Sequence, residues 1–451
     1  MSILIKNGTI INEGLSFMGS LILNGERIAK IINHEHGDEL PLLSSFEKVI
    51  DADGLIIVPG IIDDQVHFRE PGNTHKGNIE SESAAAVLGG VTSYMDMPNN
   101  NPPTVTIDLL EQKNYIAART SYANWSFYLG ATNNNIEELK KIDPSKTCGI
   151  KAFLGSSTGN LLIDDSEALE RLFKECRVLI ATHCEEESII QANLKLAKEH
   201  FGDNIPVEEH PVIRSREACI NSTAKAIDLA IRNMSRLHIL HVSTAEEIAL
   251  IEKAAKINPG ITGEVCVHYM LFDSSDYEKL GNLIKCNPAI KEKSDRTAII
   301  TAVKDGIIKV VATDHAPHTL EEKNSRYIDA PSGLPLIQHS FQIMWDLHKK
   351  GYFSKFDVIE RLSHSPANNF NIVNRGFLRE GYYADILIFN PNLEDAVTTD
   401  NPAYKCGWSP FKGHTFSSSI IHTFVNGVQV VRNGKLTGDK GGKRLTFSYE
   451  K

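Results

Sequence analysis

The sequence predicts an α/β protein: a (β/α)8 TIM-type barrel with a small β-sandwich domain formed by both termini. Two observations predict it. Between residues 57 and 380, short apolar segments alternate with helix-like ones, and eight such strands can be counted. Residues 1–56 and 381–451 are instead rich in β-branched residues and Asn-Gly turn signals, the texture of antiparallel strands. The predicted division is 1–56 with 381–451 for the sandwich and 57–380 for the barrel.

In chain order, Ser2-Ile-Leu-Ile-Lys-Asn-Gly and Ser20-Leu-Ile-Leu-Asn-Gly open the sandwich. Ala384-Asp-Ile-Leu-Ile-Phe and Ser419-Ile-Ile-His-Thr-Phe-Val complete it, and the segment from Gly441 reads as a polar tail. The barrel strands are expected to end near His67, Pro98, Thr132, Leu154, His183, Val242, Met270 and Asp314. Helices are expected over 166–174, 217–234 and 244–256, among others. No repeat or low-complexity segment interrupts the pattern.

Bulk properties exclude several classes. With 451 residues, 41% of them apolar, the chain can bury a large core. A net charge of -10 argues against a nucleic-acid partner, which needs a basic face. Seven cysteines without a CxxC pair argue against a disulfide framework or a cysteine zinc finger, and suit a reducing cytoplasm. The N-terminal residues show no secretory signal, and no apolar run reaches the roughly 18 residues of a membrane span. The expectation is a soluble, cytoplasmic protein with no membrane partner.

Polar residues stand where the barrel strands end: His67, Lys151, His183, His241 and Asp314. That edge of a barrel is where side chains converge, and three histidines with a carboxylate suit zinc or a similar borderline cation. Residues two apart on a strand face one way, so Asp63, Gln65 and His67 are expected to share a side, with Arg69 leaning over it. A histidine beside a glutamine on a strand is also a common packing arrangement. Lys151, flanked by Ile150 and Ala152, is costly to bury as an ammonium. It either reaches solvent or an acid, or it is a neutral amine that has taken up CO₂ as a carbamate. His238 and Cys184 are expected to face away from the site, and His75, His210 and His364 to be solvated. His268 is a candidate neighbour of the ligands.

Ordered motifs then narrow the reading. Phe68-Arg-Glu-Pro-Gly72, Met97-Pro-Asn99, Gly149-Ile-Lys-Ala-Phe153, His183-Cys-Glu185, His241-Val-Ser-Thr244, Asn287-Pro-Ala, Asp295-Arg296 and Thr313-Asp-His-Ala-Pro-His318 follow one another along the chain. In this order they resemble the amidohydrolase superfamily and, within it, the dihydroorotase family. The resemblance implies a zinc site at the barrel mouth, held by His67, His183, His241, Asp314 and a bridging carboxylated Lys151. It also implies Asp314 as general base and acid, with Arg69, Asn99, Asn287 and His318 reading the substrate and the Ser332–Gly333 loop closing beside it. The implied reaction is the reversible closure of N-carbamoyl-L-aspartate to L-dihydroorotate with loss of water, in pyrimidine synthesis. Dimers are common in such a family, so a homodimer is consistent; association with aspartate transcarbamoylase is left open.

One position departs. Gln65 stands where the resemblance implies the first histidine of His-x-His. A Gln oxygen is a weaker zinc ligand than imidazole. Three outcomes stay open: a second, looser metal; a single zinc on Lys151, His183 and His241; or a silent scaffold. A hydantoinase- or allantoinase-type hydrolase is the other enzymatic reading, distinguished by having no need of Arg69. Asp63 is placed to assist from behind the ligands.

Overall fold

Gly60 cuts the segment 56–66 into two strands that belong to different sheets. In the computed structural model, which describes residues 2–37, 40–155 and 161–449, Ile56–Pro59 pairs with the chain ends and Ile61–Val66 opens the barrel. A Cβ at position 60 would lie 2.1 Å from the Thr92 hydroxyl, so only glycine lets the chain cross there.

Both termini meet in one nine-stranded sheet. Ser2–Asn12 pairs in parallel with Lys48–Asp51 through its first half and with Ile56–Pro59 through its second. Ile56–Pro59 then pairs antiparallel with Ile386–Asn390, which joins the two ends. Ile5, Ile10, Leu21, Ile57, Ile386 and Phe424 give this sheet an apolar core of its own.

The barrel strands are those expected, trimmed. Ile61–Val66, Val91–Asp96 and Asn124–Phe127 form one sheet; Leu129–Gly130, Ile150–Phe153, Ile180–His183, Leu237–Ile239, Ile261–Cys266 and Val310–Ala312 form the other. Tyr128 interrupts the third strand and turns its hydroxyl to the Asp64 carbonyl, 3.0 Å away. The His67 amide donates to the His315 carbonyl at 2.7 Å, closing strand eight onto strand one. The sixth and seventh strands end earlier than expected. His241 lies in the left-handed region at φ 41°, and 267–270 tighten into a 3₁₀ turn. Helices Ser166–Glu175, Arg216–Asn233 and Ala245–Ile257 begin at side-chain caps, Asp165, Ser215 and Thr244. Among the described residues no helix is long and apolar enough to cross a membrane.

Strand one carries a bulge. Asp63 pairs with Tyr94 and Val66 with Asp96, three residues against two. Asp64 and Gln65, which would point oppositely on a regular strand, both turn inward as a result.

Three expectations are corrected. The segment from Gly441 is not a free polar tail: the Trp125 amide donates to the Lys443 carbonyl and the Leu445 amide to the Trp125 carbonyl. Leu445 and Phe447 then pack with Ile62, Tyr128, Leu179 and Phe370. His210 is buried, 2.9 Å from the Tyr327 hydroxyl and 2.7 Å from the Cys286 carbonyl. His364 is buried too, with its Nδ1 2.6 Å from the Gly376 carbonyl and its Nε2 accepting the Glu13 amide.

Asp385 fastens the terminal sheet to the barrel. It pairs with Arg375, accepts from the Asn426 amide at 2.7 Å and from Asn124 Nδ2 at 3.0 Å, and is almost fully buried. Asp385→Ala strands a buried guanidinium and is expected to cost about 3–5 kcal/mol, read as a lower midpoint in urea unfolding.

Candidate active site

The strand ends deliver their polar side chains to one small pocket of about 100 Å³. Gln65, His67, Arg69, Asn99, Lys151, His183, His241, Asn287, Asp314, Ser332 and Gly333 line it, with Phe153 and Ala316. Of the site residues expected from sequence, His318 alone does not. It stands behind Arg69, with Nε2 2.9 Å from the guanidinium and 3.1 Å from the Ser332 carbonyl, and Nδ1 3.0 Å from Lys76. Asp63 also stays behind: the bulge turns it to Thr313, whose hydroxyl donates to it at 2.6 Å.

Arg69, His241 and Asp314 all adopt positive φ, at 69°, 41° and 50°. Such conformations cost non-glycine residues free energy and persist where the surroundings enforce them. Here they swing side chains off the strand ends into the pocket.

Two pairs of potential ligand atoms face each other across it. His67 lies with Nδ1 2.7 Å from Asn99 Oδ1, which holds the ring proton on that nitrogen and leaves Nε2 bare. Nε2 is 3.0 Å from Asp314 Oδ1, a carboxylate oxygen. His183 uses Nε2 toward Glu185 Oε2, at 2.8 Å, so its Nδ1 faces His241 Nε2 at 3.0 Å. Each contact is a hydrogen bond while one ring nitrogen carries a proton, and a pair of free metal ligands once that proton is lost. Metal–ligand bonds of about 2.0–2.2 Å set neighbouring donor atoms about 3 Å apart. The donor set therefore fits the metal that the motifs imply.

Electrostatics puts these groups in ligating states. Burial lowers the pKa of His183, and burial with the nearby His183 and Lys151 takes His241 well below the usual range, so both imidazoles are neutral. Burial also brings Lys151 down to about 7, so a large share of it is a free amine at neutral pH. It makes no ion pair among the described residues and lies 4.5 Å from the Phe153 ring centre. The alternative in which Lys151 reaches solvent is overturned, because it is 1% exposed.

Gln65 turns its amide nitrogen, not its oxygen, to Asp314 Oδ1, donating at 3.1 Å. It orients the carboxylate that an imidazole would share a metal with. His268 lies in the turn after strand seven with Nε2 3.5 Å from Cys286 Sγ, outside the pocket lining. Cys184 packs against Thr182, as expected.

Sequence reasoning missed Glu185 and the lysines beneath the pocket. Burial opposes charge on Glu185, but Arg214 and His183 outweigh it and bring the carboxyl down to about 2. Its spacing of two from His183 was the available signal. Lys323 Nζ donates to the carbonyls of Lys285, Pro331 and Gly333 at 2.9–3.1 Å, and Lys285 Nζ to those of Tyr327 and Ala330. The Gly333 amide donates to Lys285 as well. These backbone groups of the loop are thus already engaged, and the loop acts as a fixed wall. Gly333, at φ 142°, would put a Cβ 2.5 Å from the Ala316 carbonyl. Lys323→Met leaves the Pro331 and Gly333 carbonyls unmet, while the Lys285 carbonyl keeps the Gly333 amide. It is expected to cost about 2–4 kcal/mol in thermal unfolding and to raise KM roughly tenfold, with a smaller change in kcat.

Residues 56–430 match the amidohydrolase family. A dihydroorotase of Clostridioides difficile is 31% identical over 96% of this chain and 100% of its own length. One of Methanosarcina acetivorans is 33% identical over 91% and 88%. Among solved structures, the L-hydantoinase (dihydropyrimidinase) of Arthrobacter aurescens superposes with a TM-score of 0.92 at 24% identity, covering 98% of this chain and 99% of that one. The dihydropyrimidinase of Brevibacillus agri gives 0.90 at 25%, covering all of both chains. The fold is thus shared with hydantoinases, while the sequence aligns end to end with dihydroorotases. The chain belongs to the amidohydrolase family, in its dihydroorotase branch.

Proposed function

We propose that the protein is a dihydroorotase, catalysing the reversible, zinc-dependent closure of N-carbamoyl-L-aspartate to L-dihydroorotate. One observation carries the reading: a buried arginine shares a small pocket with a metal-type donor set. Burial lowers Arg69 only to about 10, so it is cationic at neutral pH. A fixed positive charge beside an amide-hydrolysing centre selects a cyclic amide that bears a carboxylate.

His67, His183, His241, Asp314 and a carboxylated Lys151 would hold the metal. When bound, it would polarise the ring amide carbonyl and acidify a water. The chain's own residues do the rest. Asp314 takes the proton of the attacking water and returns it to the leaving nitrogen; in synthesis the order reverses. Gln65 and His67 converge on Asp314 Oδ1 and hold its orientation. Glu185 fixes the His183 tautomer, a task that commonly falls to the hydrogen-bond partner of a ligating imidazole. Arg69 forks onto the substrate carboxylate. Asn287 Oδ1, buried without a hydrogen-bond partner among the described residues, accepts from a ring N–H.

The test is turnover by purified, zinc-supplemented protein, comparing dihydroorotate with hydantoin, dihydrouracil and allantoin. Preference for dihydroorotate supports the reading. Turnover of a carboxylate-free ring alone points to a hydantoinase-type enzyme, and no turnover to a silent scaffold.

A further inference from the structure

A second cluster of metal-type donors lies inside the barrel, apart from the pocket lining. Asp64, His238 and Glu264 come from strands one, six and seven, and each offers a donor atom within 4.8 Å of the others. Strands one and six are not neighbours in the barrel, so this contact crosses its interior. All three side chains are fully buried. His238, expected to face away from the catalytic site, is absent from that pocket's lining and points instead to these two carboxylates.

The hydrogen bonds within the cluster do not balance. His238 Nε2 lies 3.1 Å from Asp64 Oδ2 and 3.3 Å from Glu264 Oε2. A ring nitrogen carries at most one proton, and only Glu264 is placed to receive it. Both Asp64 oxygens have no donor among the described residues. An unpaired carboxylate buried beside a second one is among the most costly groups a fold can hold.

Burial and the neighbouring Asp64 hold the Glu264 carboxyl well above its usual range, so without an ion the two acids share a proton, and a cation would take that proton's place. His238 Nδ1 is 2.8 Å from Thr262 Oγ1, whose hydroxyl is 3.4 Å from the Leu237 carbonyl. A proton on Nδ1, donated to Thr262, leaves the Nε2 lone pair aimed between the carboxylates, the arrangement of a ligating histidine. The Asn369 side-chain nitrogen lies 3.2 Å from the same Nδ1, so Thr262 and Asn369 compete for it, and a bound cation would settle the proton toward Thr262. Edges of 3.1 and 3.3 Å match those of the donor pairs in the catalytic pocket, and a dication cancels the charge of both carboxylates.

We propose that Asp64, His238 and Glu264 bind a divalent cation inside the barrel, distinct from any metal in the catalytic pocket. Two carboxylates with one imidazole suit zinc, manganese or ferrous iron. The ion ties three strands together. Glu264 Oε1 also lies 3.3 Å from the His241 amide that donates to it, so the same cluster seats one pocket histidine.

Zinc itself is the probe. Crystals of the full chain grown with zinc are expected to show anomalous density at the zinc edge among these three side chains. In solution, a variant with all five pocket donors removed (His67→Ala, Lys151→Ala, His183→Ala, His241→Ala and Asp314→Ala) is expected to retain one zinc per chain. Adding Asp64→Leu is expected to bring that to none. Anomalous density confined to the catalytic pocket of wild-type crystals overturns the proposal, as does an unchanged zinc count on adding Asp64→Leu. Should the variants fail to fold, the wild-type anomalous map decides alone. Because the readout is ion location, it is independent of whether the enzyme prefers dihydroorotate.

Discussion

Asp314→Asn is expected to lower kcat/KM for dihydroorotate at least about a thousandfold, since a positioned acid–base group contributes roughly 10²–10⁴. Two losses add. An amide cannot take the proton of the attacking water, and it removes the anionic oxygen on which His67 and Gln65 converge. The backbone at position 314 is already left-handed, a conformation asparagine tolerates better than most residues, so the fold should persist. Steady-state kinetics in both directions, with circular dichroism as a control for folding, checks this. Because one group serves hydrolysis and synthesis, both should fall together. A variant that keeps synthesis while losing hydrolysis contradicts the assignment.

Arg69→Met is expected to separate substrates rather than abolish chemistry. Two charge-assisted hydrogen bonds to a carboxylate are together worth about 3 kcal/mol or somewhat more, roughly a hundredfold in kcat/KM. The loss should be confined to substrates carrying that carboxylate, while turnover of dihydrouracil, however slow, should stay within a few-fold. Arg69 is also tied to the pocket wall, with Nε donating to the Pro317 carbonyl at 3.0 Å. Arg69→Lys, which keeps the charge but not the fork, is expected to recover only part of the activity. Equal losses on all substrates would make Arg69 a wall residue instead.

Much of this architecture was legible in the sequence because a polar residue ending an apolar run has a single plausible address in a barrel. His67, Lys151, His183, His241 and Asp314 could be assigned to one rim without knowing any angle, and the structure brings them to one pocket. What escaped depended on backbone geometry or on remote chain. The bulge at Asp63–Val66 exists only as a count of three residues against two on the neighbouring strand, so Asp63 was given Gln65's direction. His238 stays out of the pocket lining, but its carboxylate partners Asp64 and Glu264, on other strands, could not be read from its own alternation. His210 and His364 sit among polar residues, yet Tyr327 and Glu13, far away in sequence, cover them. Leu445 and Phe447 are too sparse to announce a buried segment, although both pack into the barrel. Gln65 was recognisable as a departure, but the direction of its amide was not.

The pairing of Ile56–Pro59 with Ile386–Asn390 has a consequence for how the protein is made. The ribosome releases the first arm of the terminal sheet long before the second. At roughly 5–20 residues per second, the about 330 residues between Pro59 and its partner Ile386 take some tens of seconds to appear. Throughout that interval Ile56-Ile-Val-Pro59 is an apolar strand with an open edge, the kind of segment that joins other nascent chains. A holding chaperone, or slower initiation that spaces neighbouring ribosomes, should therefore raise the soluble yield more than any substitution at the catalytic pocket.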